Sequence, residues 1–202
     1  MKLADNMEKD EFKTISGNTE GKYSELRSKF LAYAFAITNE EEAHDCINQI
    51  KHRHHDARHV AYAYCLGPEK EPQRYNDDGE PSGTAGKPIM GVLRSNDISN
   101  VLVVVARYFG GVKLGTSRLA EAYKAAAIDA VSKATITDCY VEDNVTLRFT
   151  YEKMNAVMNL LRNAGARILE NTYRDGACEI MAAVRRSRAT ALQDSVSALS
   201  VR

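Results

Sequence analysis

Residues 101–131, VLVVVARYFGGVKLGTSRLAEAYKAAAIDAV, decide the fold. Val101 to Arg107 is apolar on both faces, which marks a central strand covered on both sides. Gly110-Gly111 ends it. A long helix then starts near Thr116, with Leu119, Ala122, Tyr123, Ala126, Ala127, Ala130 and Val131 forming an apolar stripe that fades at about Lys133. Buried strand, glycine turn and amphipathic helix together imply a layered α+β domain.

Upstream, two further strands are expected at Phe30–Ile37 and Val60–Leu66. Each alternates large and small residues: Leu31, Tyr33, Phe35 and Ile37 against Ala32, Ala34 and Ala36, then Val60, Tyr62, Tyr64 and Leu66 against Ala61, Ala63 and Cys65. The small faces would let a helix pack closely on the sheet. Between them the pattern predicts a helix. Thr38 or Asn39 caps it, Glu40, Glu41 and Glu42 suit its positive end, and Ala43, Cys46, Ile47 and Ile50 are its buried stripe. Phe12–Ser16 is a weaker strand, the stretch around Gly17 and Gly21 reads as a polar connection, and a short helix is expected from Ser82 to about Arg94.

Downstream, Val145–Tyr151 alternates cleanly, Met154, Val157, Met158 and Leu161 define a helix stopped by Gly165, and two strands at about 166–173 and 177–184 join through Asp175-Gly176. Leu192, Val196 and Leu199 mark a last helix. Strand, helix, strand, strand, helix is a ferredoxin-like order lacking its final strand. The expected division is residues 1–136 and 137–202, two α+β domains, the second one smaller.

Charge excludes some classes. Lys and Arg number 27, as do Asp and Glu, so nothing coats nucleic acid through net charge alone, although a local basic stripe stays open. Cys46, Cys65, Cys139 and Cys178 contain no close pair and read as reduced core thiols. The start, MKLADNMEKDEF, lacks the apolar core of a signal peptide, and the aliphatic run Val101–Ala106 is too short for a bilayer, so a cytoplasmic protein without membrane partners is expected.

Two glycine-rich segments carry the chemistry. In NDDGEPSGTAGKPI (76–89), Asp77-Asp78-Gly79 reads as a tight turn, with Thr84 in the loop, while Gly83 and Gly86 would admit a backbone or a ligand. Gly86-Lys87 resembles the end of a Walker loop, but Pro81 and Pro88 stand where that motif needs Gly and Ser/Thr. The second segment, RYFGGVKLGTSRL (107–119), has better anion-binding logic. Gly110, Gly111, Gly115 and Thr116 lead into the exposed amides of a helix start, with Lys113 and Arg118 beside it and no acid between Tyr108 and Ala120. Its glycines do not form a dinucleotide fingerprint. Arg58, Lys87 and Arg107 complete the expected anion or nucleic-acid set. Asp77, Asp78 and Glu80 could instead bind Mg²⁺ or act as acid and base in a hydrolase, or neutralise Lys113 or Arg107 if the two segments meet. His52, His54, His55 and His59 form no recognisable zinc set, and Arg185-Arg186-Ser187-Arg188 is a second, weaker phosphate candidate. No metal or cofactor is expected.

Four blocks in order resemble the YigZ/IMPACT family: Ser28-Lys29-Phe30, Asp56-Ala57-Arg58-His59, Asn76 to Pro88, and Arg107 to Gly115, within about residues 12–133. The resemblance implies a first domain like a ribosomal-protein domain and domain IV of elongation factor G, with a left-handed βαβ crossover, and a second like another elongation-factor domain. It also implies translation regulation, since eukaryotic members bind a large activator of an initiation-factor kinase. The sequence reading is a non-enzymatic, translation-associated regulator that meets RNA, a ribosome or a translation-factor partner through its glycine-rich face. A small hydrolase acting on a phosphorylated or peptide-like substrate, using Asp77, Asp78 and Glu80, is the alternative, and a pure protein-docking module is a third. A three-stranded second sheet with a free edge could pair with a copy of itself as a homo-oligomer.

Overall fold

The computed structural model describes residues 10–174 and 176–200. They divide into one unit of residues 12–139 and a second containing Asp10, Glu11 and the residues from Tyr140 onward.

The first unit holds all but the outermost residue of β1 (Glu11–Ser16) and of β7 (Thr135–Tyr140), and between them β2 (Thr19–Glu25), β3 (Ser28–Ala36), α1 (Glu40–Arg53), β4 (His59–Cys65), β5 (Gln73–Asn76), α2 (Gly86–Ser95), β6 (Val101–Tyr108) and α3 (Thr116–Ser132). Five strands form a sheet in the order β2-β3-β6-β4-β5, antiparallel at every junction. Strand β6 lies at its centre, and Val101 to Ala106 are fully buried. Each such aliphatic side chain contributes roughly 1.5–3 kcal/mol by leaving water. Because β3 and β4 both run antiparallel to β6, they are parallel to each other. Their connection must cross the sheet, and α1 makes that crossing.

The two faces of the sheet follow the large/small alternation. Tyr33, Phe35, Val60, Tyr64, Leu102 and Val104 pack with Ala43, Ile47 and Ile50 of α1. The amide of Glu42 donates to Asn39 Oδ1 at 2.9 Å, which caps that helix. On the opposite face Ala32, Ala34, Ala61 and Ala63 lie against α2 and α3, whose own contact residues include Ala122, Ala126, Ala127 and Ala130. Small residues on both sides bring backbone near backbone. At Gly21 an added Cβ would lie 2.3 Å from the Ala130 amide nitrogen, so the glycine is required by this approach.

The stretch expected to be a polar connection is therefore strand β2, whose residues pair with β3 while Lys22 donates its amide to Asp129 of α3 at 2.8 Å. Strands β5 and β7 were not signalled by periodicity either, and α2 begins at Gly86 rather than Ser82. Strand β7 contains the expected boundary at 136/137. Of the four thiols, Cys65 and Cys178 are buried, whereas Cys46 and Cys139 are part-exposed; all are free.

The second unit comprises β8 (Glu142–Thr150), α4 (Met154–Ala164), β9 (Arg167–Arg174), β10 (Ala177–Arg185) and α5 (Arg186–Ser200). Its sheet order is β8-β10-β9, antiparallel throughout: the ferredoxin-like arrangement with three strands. Val145, Leu147, Phe149, Ile180, Ala182 and Val184 form its core with Val157, Leu161, Leu192 and Val196. Gly165 takes φ 67° to close α4. In the β9–β10 turn Gly176 has φ 80°, while Asp175, like the N-terminal stretch up to residue 9, lies outside the described residues. Asp10 accepts two hydrogen bonds from Arg185, both at 2.8 Å, and one from the Ser187 amide at 3.0 Å. No helix among the described residues is long and apolar enough to cross a membrane.

Candidate functional site

The first glycine-rich segment holds its own anion. Asp77 Oδ2 accepts from the Gly83 amide at 2.8 Å, and Oδ1 accepts from the amides of Ala85 at 3.0 Å and Gly86 at 2.8 Å. These are the donors that a helix start exposes, so the Asp77 carboxylate occupies the place a phosphate would take at α2. Gly86 admits backbone and no ligand: a Cβ there would meet Asn76 at 2.8 Å. Thr84 turns its hydroxyl to the Pro81 carbonyl at 2.6 Å. Lys87 is exposed and lines a separate hollow with Gly83, Pro88, Ala120, Glu121 and Lys124.

The other two acids leave in different directions. Asp78, with φ 49°, accepts the Val60 amide at 2.7 Å and pairs with Lys51 at 3.1 Å. Its carbonyl takes a hydrogen bond from His59 Nδ1 at 2.7 Å, which fixes the proton on that nitrogen because a carbonyl can only accept. Gly79, with φ 85°, lies beside the same imidazole. Glu80 turns inward. Its Oε1 accepts from Arg107 Nη1 at 2.6 Å and from the Tyr123 hydroxyl at 2.9 Å, and its Oε2 lies 3.7 Å from His59 Nε2. The two glycine-rich segments thus meet through Glu80 and Arg107, which are 8% and 6% exposed. Burial, then the Glu80 charge, pushes the Tyr123 phenol far above its ordinary range.

Around this pair opens a cavity of about 390 Å³ lined by Arg58, His59, Glu80, Pro81, Arg107, Phe109, Lys113, Leu114, Gly115, Thr116 and Leu119. Three cations face one carboxylate, and that carboxylate is already engaged by Arg107. Among the described residues no acid pairs with Arg58, Lys113 or Arg118. Helix α3 starts at the cavity wall. Gly115, at φ 74°, precedes it, no side chain caps it, and its first turn has no acid. Arg107 lies on the same wall, and its Nε is buried with no hydrogen-bond partner among the described residues. A buried charged donor left unmatched costs upwards of about 1–3 kcal/mol. The cavity is therefore an electropositive recess with an uncapped helix start, backed by a guanidinium whose buried Nε is unmatched among the described residues.

Several expected residues stand outside it. Gly110 and Gly111 shape the approach: the Gly110 amide donates to Ser28 Oγ at 3.2 Å, and a Cβ at Gly110 would lie 2.1 Å from the Arg27 carbonyl carbon. Arg118 is exposed on the first turn of α3 without lining the cavity. Arg185, Arg186 and Arg188 are committed to Asp10, Asp143 and the Ala164 carbonyl, which leaves no free basic run at α5. The histidines do not converge: His54 is buried between the hydroxyls of Tyr33 at 2.7 Å and Tyr108 at 2.9 Å, and Tyr108 in turn donates to Asp56 at 3.0 Å. Among the described residues no three His, Cys, Asp or Glu side chains are grouped as metal ligands. Sequence reasoning missed His59, Phe109 and Tyr123 as parts of the site. For Phe109 a signal existed: an aromatic beside a glycine pair, between Arg107 and Lys113.

A family profile described as the Impact N-terminal domain matches residues 26–131, which include every residue lining this cavity. The chain belongs to the IMPACT family. The IMPACT family member YvyE of Bacillus subtilis (strain 168) is 43% identical over 97 residues, 48% of this chain and 45% of that protein. The match thus spans less than half the length of that relative. The IMPACT family member YigZ of Escherichia coli (strain K12) is 30% identical over 149 residues, 73% of each chain. The crystal structure of a hypothetical protein shares the fold at TM-score 0.73 and 24% identity, covering 95% of this chain and 94% of its own.

Proposed function

We propose that this IMPACT family member is a translation-associated regulator, and that the recess at the start of α3 receives a phosphate of an RNA backbone. The observation that carries the reading is Arg107: a buried guanidinium on the wall of an open cavity, with a donor that no described residue satisfies, beside an uncapped helix start. Arg58 and Lys113 add exposed cations that pair with no acid among the described residues. A phosphate oxygen, accepting from several donors at once, suits that set better than a neutral group. Translation enters through the family resemblance, which implies that role for its eukaryotic members.

The hydrolase alternative needs Asp77, Asp78 and Glu80 at one point. They are instead committed to the α2 amides, to β4 and Lys51, and to Arg107. That division favours binding over catalysis.

Fluorescence anisotropy with labelled RNA at several salt concentrations tests the reading. Affinity should fall as salt rises, and the double substitution Arg58→Glu, Lys113→Glu should weaken binding strongly and flatten the salt slope. Unchanged affinity would refute the site. Cosedimentation with ribosomes, with and without nuclease, separates an RNA contact from a protein contact.

A further inference from the structure

We infer that the recess takes one nucleotide of a single strand, with its phosphate at Lys113 and the start of α3 and its base laid on Phe109. This rests on the phosphate reading above and adds the second half of the ligand. The first observation is size. A cavity of about 390 Å³ is far larger than a phosphate group needs; a water takes about 30 Å³, and a phosphate only a few times that. The lining also includes Pro81, Leu114 and Leu119, an apolar set that suits a ring rather than a second ion.

The second observation is how Phe109 is held. Phe109 lines the cavity and is 47% exposed, so its ring is open to a ligand there. The Arg107 guanidinium carbon lies 5.7 Å from the Phe109 ring centroid and 5.6 Å from that of Phe30. Phe30 is fully buried and meets Tyr123 edge-on, with centroids 5.0 Å apart. Glu80 fixes Arg107 at 2.6 Å. The packing runs from the core outward as Tyr123, Phe30, Arg107, Phe109, so the exposed ring rests on a rigid, cationic support.

Such a platform offers a base a stacking partner whatever its identity, as single-strand binding surfaces do. In a duplex the base faces are already stacked on their neighbours, and Phe109 has nothing to receive. The site therefore discriminates by strandedness rather than by sequence.

The test uses the full chain with a labelled ten-residue RNA, single-stranded or annealed to its complement. Wild type should bind the single strand about tenfold more tightly than the duplex. Phe109→Ala should lose about tenfold for the single strand and leave duplex binding unchanged; Phe109→Trp should restore it, with indole fluorescence quenched on binding. Lys113→Glu should weaken both. If Phe109→Ala binds the single strand as wild type does, or if wild type binds the duplex equally well, the base contact is overturned while the phosphate reading stands. If wild type binds neither RNA, or Lys113→Glu changes nothing, both fall. Phe109 is half exposed, so calorimetric melting of the alanine variant should match wild type and exclude misfolding.

Discussion

Replacing Glu80 by Gln tests the centre of the site. The substitution keeps size and an acceptor for Arg107 Nη1 and the Tyr123 hydroxyl, and removes only the charge. Both side chains of the Glu80–Arg107 pair are nearly inaccessible, at 4% and 7%. Two unit charges about 4 Å apart attract by about 4 kcal/mol at an effective dielectric of about 20. Breaking a buried pair from one side costs about 3–5 kcal/mol, because the other charge stays behind. The retained acceptor places Glu80→Gln at the lower end, about 3 kcal/mol. At about 3 °C per kcal/mol for a domain of this size, the melting transition of residues 12–139 should fall by roughly 10 °C. Calorimetry of the full chain reads this, with the transition of the second unit as the unaffected reference. Arg107→Met should cost a similar amount, and the double variant should be at least about 2 kcal/mol more stable than the sum of the two losses. A shift under about 3 °C for Glu80→Gln, or simple additivity, would refute the view that the pair is a mutually dependent buried unit.

Three further outcomes follow from the geometry. Gly110→Ala should destabilise by more than about 3 kcal/mol in urea unfolding, since its methyl would overlap the Arg27 backbone, which cannot move independently of β3. Asp77→Ala leaves the Gly83, Ala85 and Gly86 amides without their acceptor and should cost about 2 kcal/mol, most of it recovered by Asp77→Asn; equal losses for the two would show that only the charge matters. Asp10 is held well below the usual carboxylate range, first by its hydrogen bonds from Arg185 and then by those from Ser187. Its folded pKa is depressed, so its contribution is complete above about pH 4, where an unfolded aspartate is ionised, and fades as pH falls below that. Asp10→Asn should therefore lose stability at pH 7 and show a shallower decline between about pH 4 and pH 2; parallel acid profiles would contradict this.

The central layer was legible because its residues carry their own instructions. Val101–Ala106 is apolar on both sides, and the alternations in β3 and β4 separate a face for α1 from a face for α2 and α3. Strands β2, β5 and β7 were not, because their sequences, TEGKYSE, QRYN and TITDCY, have no buried period of their own. They are strands because a neighbour offers a ladder, and β2 also because Gly21 lets α3 come close. The site was half legible. Glycine and charge marked the start of α3, but the Asp77 contacts with Gly83, Ala85 and Gly86 span six to nine residues, and local rules do not foresee them. They turn Ser82 to Ala85 into part of a loop, and so delay α2.

The contrast between the two helix starts gives the molecule a built-in control. One set of amides is already saturated by a carboxylate from the same chain, while the other, 30 positions further on at Thr116, has no side-chain acceptor. In an amide NMR titration with inorganic phosphate, the resonances of Gly83, Ala85 and Gly86 serve as the silent standard against which movement at Thr116, Ser117 and Arg118 is judged. A solute that displaced both sets alike would be acting on the solvent rather than on a site.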